Sequence, residues 1–272
     1  MNLKSTFQAK IAYFCRQFSF PLHLNYLYEL SGFQLILVTL VAILVGMAKT
    51  GVFGAGMLAV PLLALVFGGQ LSSGIILPIL LLADVFGVWY YHRHASWLHL
   101  KMLFPWAATG VVLGAVVGSY IDDLVFRIIM AITIVLSLII MVWLEHFGTM
   151  KSIPNKRWFA ATTGVAGGFT SMVGNLAGSV MSVYLLSMRL PKNAFIGTIA
   201  WFFLVVNVFK VPFHVLVWHT IGLNTVVFGL ITLPLIILGA WLGIITVRQL
   251  SDTAYRWFII VMTLVAAVGM LA

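Results

Sequence analysis

Apolar residues run along this chain in long unbroken blocks, at about 33–48, 51–67, 74–91, 102–120, 125–144, 158–170, 175–188, 194–213, 222–246 and 254–271. Most are too long for strands, and a helix that is apolar on every side is buried in a core or in lipid. A membrane crossing takes about 20 such residues. The pattern therefore predicts an all-α, polytopic integral membrane protein. Four blocks are short for a crossing, namely 33–48, 51–67, 158–170 and 175–188, given a rise of about 1.5 Å per residue. They form two adjacent pairs, and each pair meets at a polar, Gly-rich break. The first break is Lys49-Thr50-Gly51, and the second runs from Thr170-Ser171 to Gly174-Asn175.

This spacing predicts an internal repeat. An N-terminal interfacial segment (1–32) precedes a first membrane repeat (33–144), a cytoplasmic linker (145–157) and a second membrane repeat (158–272). Gly114-Ala115 and Gly118 answer Gly239-Ala240 and Gly243. Phe126-Arg127 answers Tyr255-Arg256, and Asp84 answers Asn207. Each copy holds one broken or re-entrant pair plus three full spans, so it ends on the face opposite its start. The second copy is then inverted, and short broken segments at matching positions of inverted repeats are a signature of secondary transporters.

Composition agrees with lipid as the solvent: 62% of residues are apolar and 8% charged, against about 25% charged in soluble domains. The net charge of +9 does not indicate nucleic acid, because the basic residues sit mostly in short loops, where they report orientation. One face would carry Arg93, Lys101, Lys151, Lys156, Arg157, Arg189, Lys192 and Arg248. The other would carry Arg127 with Lys4, Lys10 and Arg16. The richer face is expected to be cytoplasmic, with both termini on the other side of the cell's inner membrane. Cys15 is the only cysteine, so no internal disulfide and no thiolate chemistry in the membrane core is expected.

Charge inside the apolar blocks marks the candidate site. A Lys in mid-bilayer costs about 2.5–3.5 kcal/mol on insertion scales, so it is commonly functional or paired. Lys49 lies at the first break. Lys210 lies one helical turn from Asn207 and next to Pro212, with snorkelling as its alternative. Asp84 is either a proton-coupling carboxylate or the structural partner of Lys49 or Lys210. At each break a new helix begins, after Gly51 through Gly54, and after Gly174 and Asn175. The free N–H groups of a helix start suit an anion, and Thr50, Thr170, Ser171 and Asn175 add neutral donors. The stripe Gly110, Gly114, Gly118 is read as helix packing, within the chain or in a homodimer. His92, His94 and His99 share a loop without a Cys or acidic neighbour, so they read as a solvated basic loop and no metal site is expected. No hydrolase triad or nucleotide motif is present, and neither enzymatic activity nor a cofactor is expected.

Several stretches together resemble the TauE/SafE family of sulfite and organosulfonate exporters. They are Gly51–Pro61 (GVFGAGMLAVP), Leu82–Asp84, Tyr90–His94 (YYHRH) and Pro105-Trp106 with the glycine stripe. In the second half they are Gly168–Gly178 (GFTSMVGNLAG), Tyr184–Lys192, Gly197-Thr198 and Asn207–Pro212. The resemblance spans about 33–271 and departs from the commoner pattern at Ala55 and across the second glycine motif. It implies an inner-membrane carrier with duplicated halves and an anionic, often sulfur-containing substrate. The expected function is a secondary transporter for a small anion such as sulfite or a sulfonate, working by alternating access with proton coupling through Asp84. The alternatives are an anion channel and a membrane component of sulfur metabolism that does not transport.

Overall fold

The computed structural model describes residues 31–52, 69–122 and 157–271, with scattered residues over 55–67 and 124–139. The interfacial segment, Arg127, Lys151, Lys156, most of the linker and Gly54 lie outside the described residues. The helices with continuous description are α1 (Gly32–Lys49), α2 (Gly69–Tyr91), α3 (Trp97–Gly118), α4 (Arg157–Gly174), α5 (Ala177–Ser187), α6 (Lys192–Leu216), α7 (Leu223–Ile231), α8 (Leu233–Arg248) and α9 (Asp252–Leu271). A short 3-10 turn, His92–His94, follows α2. The described residues between 55 and 67 are helical as well. The protein is all-helical and a multi-pass membrane protein. Among the described residues, four helices are long and apolar enough to cross a membrane, and one bent pair makes a fifth. Their outward faces carry large apolar side chains, among them Phe33, Ile36, Trp89, Leu98, Val116, Val208 and Trp241. Lipid solvates such a surface and water does not.

Local chemistry sets the helix ends. Ser31 and Gln34 form a reciprocal capping box at the start of α1, with the Ser31 N–H donating to Gln34 Oε1 at 2.9 Å. This satisfies donors that lipid cannot. At the other end of α1 the chain turns through Gly51, whose φ of +125° is open to glycine and strained for other residues. The Val52 N–H reaches back to the Met47 carbonyl at 3.0 Å, the wrap that closes a Schellman end. The second break turns on Asn175 at φ 55°, a left-handed conformation that Asn tolerates better than most residues.

Two expectations are corrected. Thr170, Ser171 and Gly174 are not part of the second break, because α4 continues through them to Gly174. The Thr170 hydroxyl donates to the Ala166 carbonyl at 2.7 Å, so it follows the helix instead of ending it. The block 222–246 is not one straight span either: α7 and α8 meet at 51°. Pro234 opens α8, and its ring nitrogen cannot donate to the preceding turn. Pro212, by contrast, is accommodated inside α6, which runs on to Leu216.

The packing is reciprocal between the halves. α1 lies against α8, α3 lies against α4, and α2 and α6 pack side by side. Each of the first two contacts uses glycine for close backbone approach. A Cβ at Gly46 would overlap the Ile236 carbonyl, and one at Gly239 the Ile43 carbonyl. A Cβ at Gly168 would overlap the Ala107 carbonyl, and one at Gly110 the Val165 carbonyl. With lipid on the outside, such small-residue contacts are a principal source of helix association.

Candidate functional site

The two breaks and the paired helices α2 and α6 meet in the interior. Lys49, the last residue of α1, is 6% exposed, and Asp84 in the middle of α2 is fully buried. The Lys49 ammonium lies 2.9 Å from Asp84 Oδ1 and 3.7 Å from the centroid of the Phe203 ring on α6. Asn207, also on α6, donates its amide to Asp84 Oδ2 at 2.6 Å. The carboxylate is thus shared between a cation from one half and an amide from the other. A carboxylate in hydrocarbon would otherwise lose its solvation uncompensated.

Lys210 lies one turn beyond Asn207 and is fully buried. Its ammonium donates to the Ser171 carbonyl at 2.9 Å and to Asn175 Oδ1 at 2.5 Å. Asn175 is held in turn by its own amide, which donates to Ser73 Oγ at 3.0 Å. Among the described residues no carboxylate lies within ion-pair distance of Lys210. Two cations and one carboxylate are therefore buried together, and both acceptors of Lys210 are neutral. An ammonium has three donors, so Lys210 keeps one for a further acceptor.

A cavity of about 30 Å³ opens between the breaks, lined by Ala48, Lys49 and Gly56 from the first half, Asn175 and Gly178 from the second, and Leu80 and Phe203. In this conformation it has room for about two waters. Lys49 and Asn175 line it directly, and Lys210 reaches it through Asn175.

The remaining expected site residues hold the frame in this conformation. The Thr50 hydroxyl lies 3.0 Å from the Ala240 carbonyl and 3.1 Å from that of Gly46, which ties the first break to α8. Thr170 is bonded within its own helix, and Ser171 contributes its carbonyl. Gly51 offers its carbonyl to the Tyr255 hydroxyl at 2.7 Å. His99 lies against Tyr184, with Nδ1 3.0 Å from the hydroxyl. Groups of three or more His, Cys, Asp or Glu able to hold a metal do not occur among the described residues.

Ser73, Phe203 and His214 were not legible as site residues. Ser73 and Phe203 are ordinary residues of apolar helices and carry no sequence signal. His214 had one. It stands four residues after Lys210, hence on the same helix face, and it is fully buried with Nδ1 2.8 Å from Thr220 Oγ1.

In comparison with known proteins, the family model of the sulfite exporter TauE/SafE matches residues 38–270. No curated protein and no solved structure gives a match.

Proposed function

The chain belongs to the sulfite exporter TauE/SafE family, and we propose that it is a secondary transporter that carries a small sulfur oxyanion, sulfite or a sulfonate, through the cavity between the two breaks. The observation that carries this reading is Lys210, a fully buried ammonium whose partners in the structure are neutral. A buried cation without a counter-charge is costly, and an arriving anion offsets that cost. The anion would take the open donor of Lys210, the Lys49 ammonium and backbone N–H groups at the helix start near Gly178. Thr50 and Gly51 would shape the first break around it, and Asn175 would turn the second and orient Lys210.

Asp84 and Asn207 supply the coupling in this reading. Asp84 competes with the anion for Lys49, since both are negative. A proton on Asp84 ends that competition and leaves Lys49 free, so anion binding and proton uptake favour each other and the flux follows the pH gradient. The reciprocal packing of α1 with α8 and of α3 with α4 supports an inverted repeat with halves 33–144 and 158–272. Rocking of such halves would expose the site alternately. The basic loops support a reading in which the face of Arg93, Lys192 and Arg248 lies in the cytoplasm, inside the inner membrane. A channel is the second reading, and the small cavity in place of an open pore disfavours it.

The test is uptake of radiolabelled sulfite into proteoliposomes. Saturable uptake by the wild type is expected, with a loss of at least about tenfold in Lys210→Gln, since hydrogen bonds to charged groups contribute about 1.5–3 kcal/mol. Equal uptake by the variant would sink the proposed site.

A further inference from the structure

A second cavity, of about 410 Å³, lies at the end of the bundle where α2 and α8 finish and α6 begins. Tyr90, Tyr91, His94, Lys192, Val247 and Arg248 are among the residues that line it. Two of these carry permanent positive charge. The Arg248 guanidinium stacks 5.5 Å from the centroid of the Tyr90 ring. It also donates from Nε to the Tyr90 hydroxyl at 2.8 Å, with Nη2 directed at the same oxygen. A single phenol oxygen therefore occupies the edge of the guanidinium that a carboxylate or other oxyanion takes with two parallel bonds. The Lys192 ammonium caps the Val247 and Leu250 carbonyls at the end of α8. The nearby carboxylate, Asp252, accepts from the Lys192 backbone N–H at 3.1 Å and lines no part of the cavity.

One side chain links the wall of this outer cavity to the turn beside the inner one. Val247 lines the outer cavity and packs on Gly51, where any side chain would overlap Val247 and crowd Ile196. Gly51 stands two residues from Lys49 in the inner cavity, and its carbonyl is fixed by Tyr255. The wall of the outer cavity at Val247 thus touches the turn that follows Lys49 of the inner one. The outer space has room for an anion with water around it, whereas the inner has room for little more than a bare ion.

We propose that the outer cavity is a second anion site, where Arg248 holds a hydrated small oxyanion of the class carried by the inner site before it passes Gly51 and Val247. The class of ligand rests on the function proposed above, and the placement rests on Arg248, Tyr90 and the contact of Val247 with Gly51. The anion displaces the Tyr90 hydroxyl from the guanidinium edge, and the positive cavity raises its local concentration beside the break.

Calorimetric titration of sulfite into the purified protein in phosphatidylcholine nanodiscs tests this. The wild type is expected to show two binding events. Arg248→Gln should remove one, and Lys210→Gln should remove the other. Tyr90→Phe, which deletes the competing hydroxyl, should tighten the Arg248-dependent event roughly two- to fivefold, a change that a misfolded variant would not produce. If Arg248→Gln removes no event, the outer site is overturned, whatever the inner site does. An Arg248-dependent event without a Lys210-dependent one would support the outer site and count against the inner. The same titration in discs containing phosphatidylglycerol separates the two sources of oxyanion. Persistence of the event supports a site for the soluble anion, and its loss overturns the proposal in favour of a lipid headgroup.

Discussion

At the scale of single residues the chemistry rests on a count of charges. Lys49, Asp84 and Lys210 are buried together with Asn207 between them. They were legible in the sequence because an ionisable or amide side chain in an apolar block has few structural reasons to be there. The partners were not legible. Which cation takes Asp84 depends on how α1 is rotated against α2, and neither spacing nor composition encodes that rotation. Ser73, which holds Asn175, looks like any small helix residue. The threonines show the other side of this: a hydroxyl in lipid bonds to a carbonyl of its own or a neighbouring helix by default, as Thr50 and Thr170 do in this conformation. The coupling proposed for Asp84 has a direct consequence. Asp84→Asn keeps an acceptor for Lys49 and removes the titrating group. It is expected to carry sulfite at a rate that no longer responds to an imposed pH gradient, measured by uptake at equal and unequal internal pH. A response matching the wild type's would remove Asp84 from the coupling.

At the scale of elements, the two breaks and the glycine contacts decide what the helices can do. The first break was placed correctly by its sequence, since Gly51 has no side chain to oppose the turn. The second was placed too early, because Thr170 and Ser171 look polar enough to end a helix, while the Thr170 hydroxyl and the Ser171 carbonyl still bond along it. Asn175 serves both backbone and site there, and two substitutions separate the roles. Asn175→Gly keeps the left-handed turn and loses the Lys210 acceptor. Asn175→Ala loses the acceptor and strains the turn by about 1–2 kcal/mol. Both are expected to lose most sulfite uptake, and only the alanine variant should melt clearly below the glycine variant in a thermal unfolding scan. The glycine stripes make a second prediction. Gly46→Ala and Gly168→Ala each drive a methyl into a backbone carbonyl of the facing helix, and overpacking of this kind costs about 1–3 kcal/mol. Their melting temperatures should fall, while that of Gly32→Ala, where a Cβ has nothing within 4 Å, should not.

At the scale of the whole molecule, the paired short blocks were visible in the sequence, but the way their helices pack was not. Gly110 and Gly114 match Gly239 and Gly243 in sequence, which suggests that the stripes face one another. Instead each stripe receives the first helix of the opposite half, α4 for one and α1 for the other. The helices that end at the breaks are therefore packed against the other half. Under the proposed carrier mechanism, motion of one half against the other would move both breaks at once, and a channel would need no such motion. Cys15 is the only native cysteine, so a Cys15→Ser background leaves a clean reporter. Ala48 lines the inner cavity beside Lys49 and is 5% exposed. With Ala48→Cys in that background, a membrane-impermeant thiol reagent should label the protein slowly from either side of sealed vesicles. A small sulfonate, which unlike sulfite does not react with the reagent, should slow labelling from the side to which it is added and leave a rate that depends on the pH gradient. Fast labelling from both sides, indifferent to the sulfonate and to the gradient, would mean a continuous open pathway. The two halves would then be the walls of a pore and would not move against one another.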